Sequence, residues 1–265
     1  MQRVVLGVQY DGRDWSGWQS QPGGRTVQDA LEKALASFIG APVRSHAAGR
    51  TDSGVHATGQ VVHFDCEVDR SLVSWVRGVN RYLPSSIAVR FASLVPASFH
   101  ARVSAMSRSY CYVLYTGPTR VPHLTGRAGW EFRPLKLEPM RAAAAMLVGE
   151  HDFSAFRSVE CQAKSPIKTL HQFDIRQRGE MLVFQLRADA FLHHMVRNLI
   201  GSLLYVGQGK QPPEYLAKLL AGRDRSEAAP TFMADGLYLT AVEYPSEFDL
   251  PKPGALDLVF PGLLP

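Results

Sequence analysis

The 265-residue sequence has only three cysteines, Cys66, Cys111 and Cys161, and no two of them form a CxxC pair. An odd, scattered set argues against a disulfide framework and against a cysteine zinc site. Long apolar runs are missing as well, so no membrane-spanning helix is expected. The opening MQRVVLGVQYDG goes straight into a strand-like segment without a cationic and then apolar leader. Together these absences point to a reducing, cytoplasmic compartment. There is no GxxxxGK[ST] loop, and no GxGxxG follows the first strand, so neither standard phosphate cradle is present. HExxH and GxSxG are absent too, which removes a common zinc-hydrolase and a common serine-hydrolase arrangement. No tandem repeat and no low-complexity tract occurs.

The composition is otherwise globular: 46% hydrophobic and 20% charged, with 22 glycines, 17 prolines and a formal charge of +5. That surplus fits plain solubility or a polyanionic partner. The arginines run along the whole chain, from Arg70 and Arg77 to Arg133 and Arg157, rather than forming a basic tail. Such a spread suits a broad anion-binding surface better than a disordered arm.

Periodicity gives two similar halves. RVVLGVQY (3–10) is β-branched and predicts a strand. TVQDALEKALASFIG then places Val27, Ala30, Leu31, Ala34, Leu35, Phe38 and Ile39 at helical spacing. Thr26 and Asp29 sit at capping-box spacing, and Gly40 stands where a helix ends. Short strands follow near 42–47 and 60–66. A second helix, SLVSWVRGVNRYLP, turns Leu72, Val76, Val79 and Leu83 to one side, and IAVRFASLV closes the half. The order β-α-β-β-α-β is ferredoxin-like.

The second half repeats that order loosely. SYCYVLYT is a strand, PMRAAAAMLVG a helix, and LHQFDIRQ with MLVFQLRA a hairpin around Arg178-Gly179-Glu180. FLHHMVRNLIGSLLYVG is expected as one long helix, PPEYLAKLLAG as another, and GLYLTAVEY as a closing strand. The fold expected is α+β: two ferredoxin-like halves forming one continuous, mostly antiparallel sheet. The divisions are residues 1–105, 106–245 and a proline-rich tail, 246–265.

Few groups are placed for chemistry. QPGGRTVQ is a glycine-rich approach to a helix, able to hold a phosphate or simply to connect two elements. His193 and His194 are adjacent, and on a helix would point about 100° apart, a poor chelate. Most of the acids, such as Asp11, Asp65 and Asp189, lie near turns or strand ends, where Asp commonly bonds its own backbone. GRTDSGVHATGQ (49–60) is different. Gly49 and Gly54 bracket Arg50 and Asp52, so the backbone can approach a substrate and Arg50 can balance the carboxylate. A structural turn explains the same residues. Arg197, on an apolar helix, would need a carboxylate if buried and nothing if exposed. Tyr110 and Tyr112 share a sheet face, as core residues or as a platform for a flat ring.

In this order the segments resemble the tRNA pseudouridine synthase A family over roughly residues 2–245. The pieces that carry the resemblance are YDGRDWSGWQSQP, TVQDALEKAL, GRTDSGVHATGQVVHF, FHARVSAMSRSYCY, GEHDFSAFRS, DAFLHHMVRNLIGSLLYVGQG and ADGLYLTAVEY. Ser53 stands where the family often has alanine; both are small. The resemblance implies that Asp52 is the nucleophile in isomerising uridine to pseudouridine and that Arg197 pairs with it. It further implies that Tyr110 lies against the uracil, Arg50 helps displace the nucleotide and Leu237 packs beside the base. By the same resemblance the substrate is the tRNA anticodon stem-loop at positions 38, 39 and 40, and a homodimer holds one tRNA. No metal, nucleotide or other cofactor is expected, since isomerisation involves no redox change and no net transfer. The competing expectation is a non-catalytic RNA-binding protein on paired ferredoxin-like modules, although no segment fits the RNP1 pattern.

Overall fold

A computed structural model describes residues 1–251, 259, 260 and 262. They cluster into two compact units, one comprising Met1–Met106 with the described residues from Tyr238 onward, the other Ser107–Leu237.

The first unit opens with β1 (Gln2–Tyr10), α1 (Val27–Ile39), β2 (His46–Ala47), β3 (His56–Cys66), α2 (Leu72–Asn80) and β4 (Ile87–Val95), the order expected. β1 runs antiparallel to β3 on one side and to β4 on the other, with Val4 opposite Phe64 and Leu94. Val4, Val5 and Leu6 are all fully buried, which explains a continuous apolar run where a half-exposed strand would alternate. β2 is a short antiparallel addition to β3.

α1 starts where Thr26 accepts a hydrogen bond from the Asp29 N–H and donates to the Asp29 carboxylate. It stops at Gly40, whose left-handed φ of 86° lets its N–H reach the Ala36 carbonyl. α2 keeps the expected face at Val79 but not at Leu72. Trp75 and Val79 are its buried residues, while Leu72 is 43% exposed. Trp75 supplies the buried ring: its indole sits edge-on to Phe38 of α1 at 5.4 Å and to Phe64 of β3 at 5.5 Å.

The second unit holds β5 (Ser107–Tyr115), β6 (Gly129–Trp130), α3 (Leu137–Ala145), β7 (Gly149–Asp152), β8 (Ile167–Arg178), β9 (Met181–Ala188), α4 (Met195–Gly207) and α5 (Tyr215–Gly222). β5, β9, β8 and β7 are antiparallel neighbours in that order, and β6 adds a short parallel pairing to β5. The β8–β9 hairpin turns at Gly179 with φ 57°, as Arg178-Gly179-Glu180 predicts. α4 is shorter than expected. It begins at Met195 because His194 has φ 62° and ψ 2°, a left-handed conformation no α-helix can run through.

Among the described residues the last strand is β10 (Leu237–Glu243). From Tyr238 it runs parallel to β3, with Tyr238 opposite His56, so it counts with the first unit. Tyr244, just past the end of the strand, donates its hydroxyl to the Ala101 carbonyl at 2.6 Å. The fold is α+β and mostly antiparallel. The tail expected over 246–265 lies largely outside the described residues. Among the described residues no helix is long and apolar enough to cross a membrane.

Candidate active site

In the first unit, GRTDSGV becomes a loop that leads into β3, which begins with HATGQ, and it is tied down on both sides of Asp52. Before the aspartate, the Thr51 carbonyl accepts from the Trp18 N–H at 3.0 Å, and the Thr51 and Tyr10 hydroxyls bond at 2.8 Å. After it, the Ser53 hydroxyl and the Gly54 N–H both reach the Trp15 carbonyl, at 3.2 and 3.3 Å. The Val55 N–H closes the turn on the Asp52 carbonyl at 3.2 Å, and Gln60 Nε2 donates to the Gly49 carbonyl at 2.7 Å. These bonds fix the backbone on both sides of Asp52. Asp52 is partly buried and Arg50 exposed.

Two glycines are required here by conformation. Gly54 turns the loop with φ 79°. Gly17 has φ 86° and lies so close that a Cβ would stand 2.7 Å from the Thr51 carbonyl oxygen. The YDG segment supports the same corner. Burial would raise the Asp11 carboxyl, but hydrogen bonds from His56 and Arg13 outweigh it and hold the group well below the usual carboxylate range. The His56 ring stacks on Tyr238 at 4.5 Å.

The second unit carries the other expected residues. Tyr110 lies on β5 opposite Leu186 of β9, 9% exposed, with its ring edge-on to Phe191 at 5.0 Å. Tyr112 is different: it is fully buried and donates to the Met233 carbonyl at 3.0 Å, so it is a core residue. Arg197, in the first turn of α4, donates from Nε to the Phe232 carbonyl at 2.8 Å, and the Phe232 N–H returns to the Arg197 carbonyl at 3.3 Å. Leu237 is 5% exposed and closes a turn through its N–H to Ala234 at 2.8 Å.

His193 and His194 do not diverge as they would on a helix. They precede α4, and their rings lie 4.0 Å apart between centroids. The turn is anchored by the His193 N–H on Cys161 Sγ at 3.3 Å and by the Ser158 N–H on the His193 carbonyl at 3.0 Å.

Sequence reasoning passed over Tyr10, Thr51 and Gln60, which join the first-unit loop to the strands. A signal was present: a glutamine inside the apolar run GQVVHF must have its amide satisfied if buried, and Gln60 is fully buried. His46, His63 and His100 also gather, with centroids 4.7 to 5.4 Å apart. The Nδ1 atoms of His63 and His100 accept backbone N–H groups of Ala101 and Arg102, which makes this cluster part of the packing.

The model of a family described as tRNA pseudouridine synthase matches residues 7–103 and 143–245 of the chain. The tRNA pseudouridine synthase A of Paraburkholderia xenovorans is 59% identical over 253 residues, covering 96% of this chain and 94% of the relative. That of Burkholderia multivorans is 60% identical over 249 residues, covering 94% and 92%. That of Paraburkholderia phymatum is 58% identical over 255 residues, covering 96% of each. The chain belongs to the tRNA pseudouridine synthase family.

Proposed function

We propose that this member of the tRNA pseudouridine synthase family isomerises uridine to pseudouridine at positions 38, 39 and 40 of the tRNA anticodon stem-loop, with Asp52 as nucleophile. The N1–C1′ bond breaks, the uracil turns, and C5 bonds to C1′. The C5 proton leaves to water and N1 takes one up, so atoms and electrons balance with no redox partner. Attack at C1′, attack at C6 and assisted elimination at the sugar all use an ionised carboxylate shielded from bulk water.

The observation that carries this reading is the loop itself. Asp52 is partly buried in a segment whose backbone is fixed on both sides of it, through Thr51, Ser53 and Gly54. A reacting group gains most when its position is settled before substrate arrives. The remaining roles are proposed by likeness to the family. Arg197 balances Asp52, and its Nε bond to Phe232 supports a fixed guanidinium. Tyr110, braced by Phe191, stacks on the flipped uracil, Leu237 packs beside it, and Arg50 helps displace the nucleotide. Taking a base out of a helix costs a few kcal/mol, which stacking offsets. The protein works in the cytoplasm, and two copies hold one tRNA.

The test uses tRNA transcripts tritiated at uracil C5, incubated with the wild-type protein and with Asp52→Asn. Tritium release to water by the wild type alone supports the proposal. Release by both variants removes Asp52 from its role. Release by neither, with tRNA still bound, moves the reading to a non-catalytic RNA-binding protein.

A further inference from the structure

Tyr10, at the end of β1, and Gln60, inside β3, are 50 residues apart in sequence yet hold the same loop. Tyr10 is 4% exposed, Thr51 7% and Gln60 0%. The Tyr10 hydroxyl bonds the Thr51 hydroxyl at 2.8 Å, directly before Asp52 in the chain. The Gln60 amide donates to the Gly49 carbonyl at 2.7 Å and approaches the Tyr10 hydroxyl at 3.5 Å. Its own Oε1 accepts from the Val61 N–H at 3.2 Å, so the amide is oriented by the strand that carries it.

A fold that needed only a buried core here would place apolar residues at 10 and 60, since buried polar groups are costly unless they are bonded. These two are bonded, and their partners are loop residues on the N-terminal side of the aspartate. Burial pushes the Tyr10 phenol up to about 12, so it stays a neutral hydroxyl throughout the working pH range.

We infer that Tyr10 and Gln60 are positioning residues for Asp52, acting through Thr51 and Gly49 to fix the loop on the two strands of the sheet. The inference rests on the reading of Asp52 as nucleophile. Neither residue touches substrate. Their effect is on where the carboxylate stands, and small misplacements of reacting groups lower turnover steeply.

The experiment compares Tyr10→Phe with wild type on intact tRNA, measuring kcat, KM and the melting temperature. Tyr10→Phe keeps the ring beside Trp18, 5.9 Å away, and removes one hydroxyl. The expected result is a fall in kcat of about tenfold or more, with KM within about twofold of wild type and the melting point little changed. A purely structural tyrosine would lower the melting point and leave kcat of the folded enzyme intact, and that result overturns the inference.

Thr51→Ser, which retains the hydroxyl, is expected to keep most of kcat, whereas Thr51→Val loses it as Tyr10→Phe does. Joining Tyr10→Phe to Thr51→Val should add little further loss, because both break one bond. If Tyr10→Phe does not fold, equal kcat in Thr51→Ser and Thr51→Val overturns the inference instead. Asp52→Asn runs alongside. An inactive Asp52→Asn with a fully active Tyr10→Phe defeats this inference alone, while an active Asp52→Asn defeats the reading beneath it.

Discussion

A methyl group at position 17 would stand 2.7 Å from the Thr51 carbonyl oxygen and 3.1 Å from the Asp52 carbonyl carbon, on a residue whose φ is already 86°. Gly17→Ala therefore combines left-handed strain, on the order of 1–3 kcal/mol, with a push on the backbone of the proposed nucleophile. We expect kcat to fall more than the loss of stability explains, by tenfold or more, as read from tritium release on a sample shown to be folded by circular dichroism. Turnover equal to wild type would mean that the loop tolerates displacement. Sequence alone singled out Arg50 and Asp52 as candidates because glycines and a charged pair lie within six residues. It did not reach Tyr10, Thr51 and Gln60. Their bonds join positions 41 and 11 residues apart, and no local period reports on such a pairing. Nor did it fix the His193–His194 turn, since a left-handed histidine before a helix has the same apolar spacing downstream as a helix already under way.

Among the elements, α2 shows why pattern reached the helix and only part of its buried face. Leu72, Val76, Val79 and Leu83 satisfy the period, but one larger ring, Trp75, fills the space between Phe38 and Phe64. The order of strands and helices in the first unit was legible because each element carries its own stop and start signals, such as Thr26 and Gly40 around α1. β6 and β7 were not, being two and four residues long and held by their neighbours rather than by propensity. The same indole has a defect: among the described residues Trp75 Nε1 is buried with no hydrogen-bond partner. Trp75→Phe removes that orphan donor and keeps an aromatic ring, two effects of opposite sign. We expect a change within about 1.5 kcal/mol. Trp75→Ala leaves a cavity and should cost about 3–5 kcal/mol. Urea denaturation of the two variants checks this, and equal losses would show that the ring contacts contribute nothing.

Over the molecule as a whole, the formal charge of +5 and the dispersed arginines set how it meets a polyanion. Neutralising phosphates releases counterions, so on the proposed reading KM for tRNA should rise linearly in log–log form with salt while the Asp52→Asn defect stays constant. A KM independent of salt between about 50 and 200 mM would rule out a phosphate-dominated surface. Acid acts on the fold instead. Burial, and then the neighbouring His100, Arg3 and His46, push the His63 imidazole down to about 4, while Asp65 acts the other way. The folded value lies below the unfolded one of about 6.5, so the unfolded chain binds more protons between them. Stability from His63 is therefore complete above about pH 6.5 and is lost as pH falls toward 4. Asp11, Asp65 and Asp152 are held below their ordinary values and add a second loss at lower pH still, as they take up protons. Thermal melts of the wild type should decline in these two stages. His63→Gln, whose amide oxygen can still accept from the Ala101 N–H, should be less stable near neutrality and show a shallower slope from about pH 6.5 to 4.5, the remainder coming from His100, whose imidazole burial also holds down. A slope there equal to that of wild type would mean that the acid response belongs to another group.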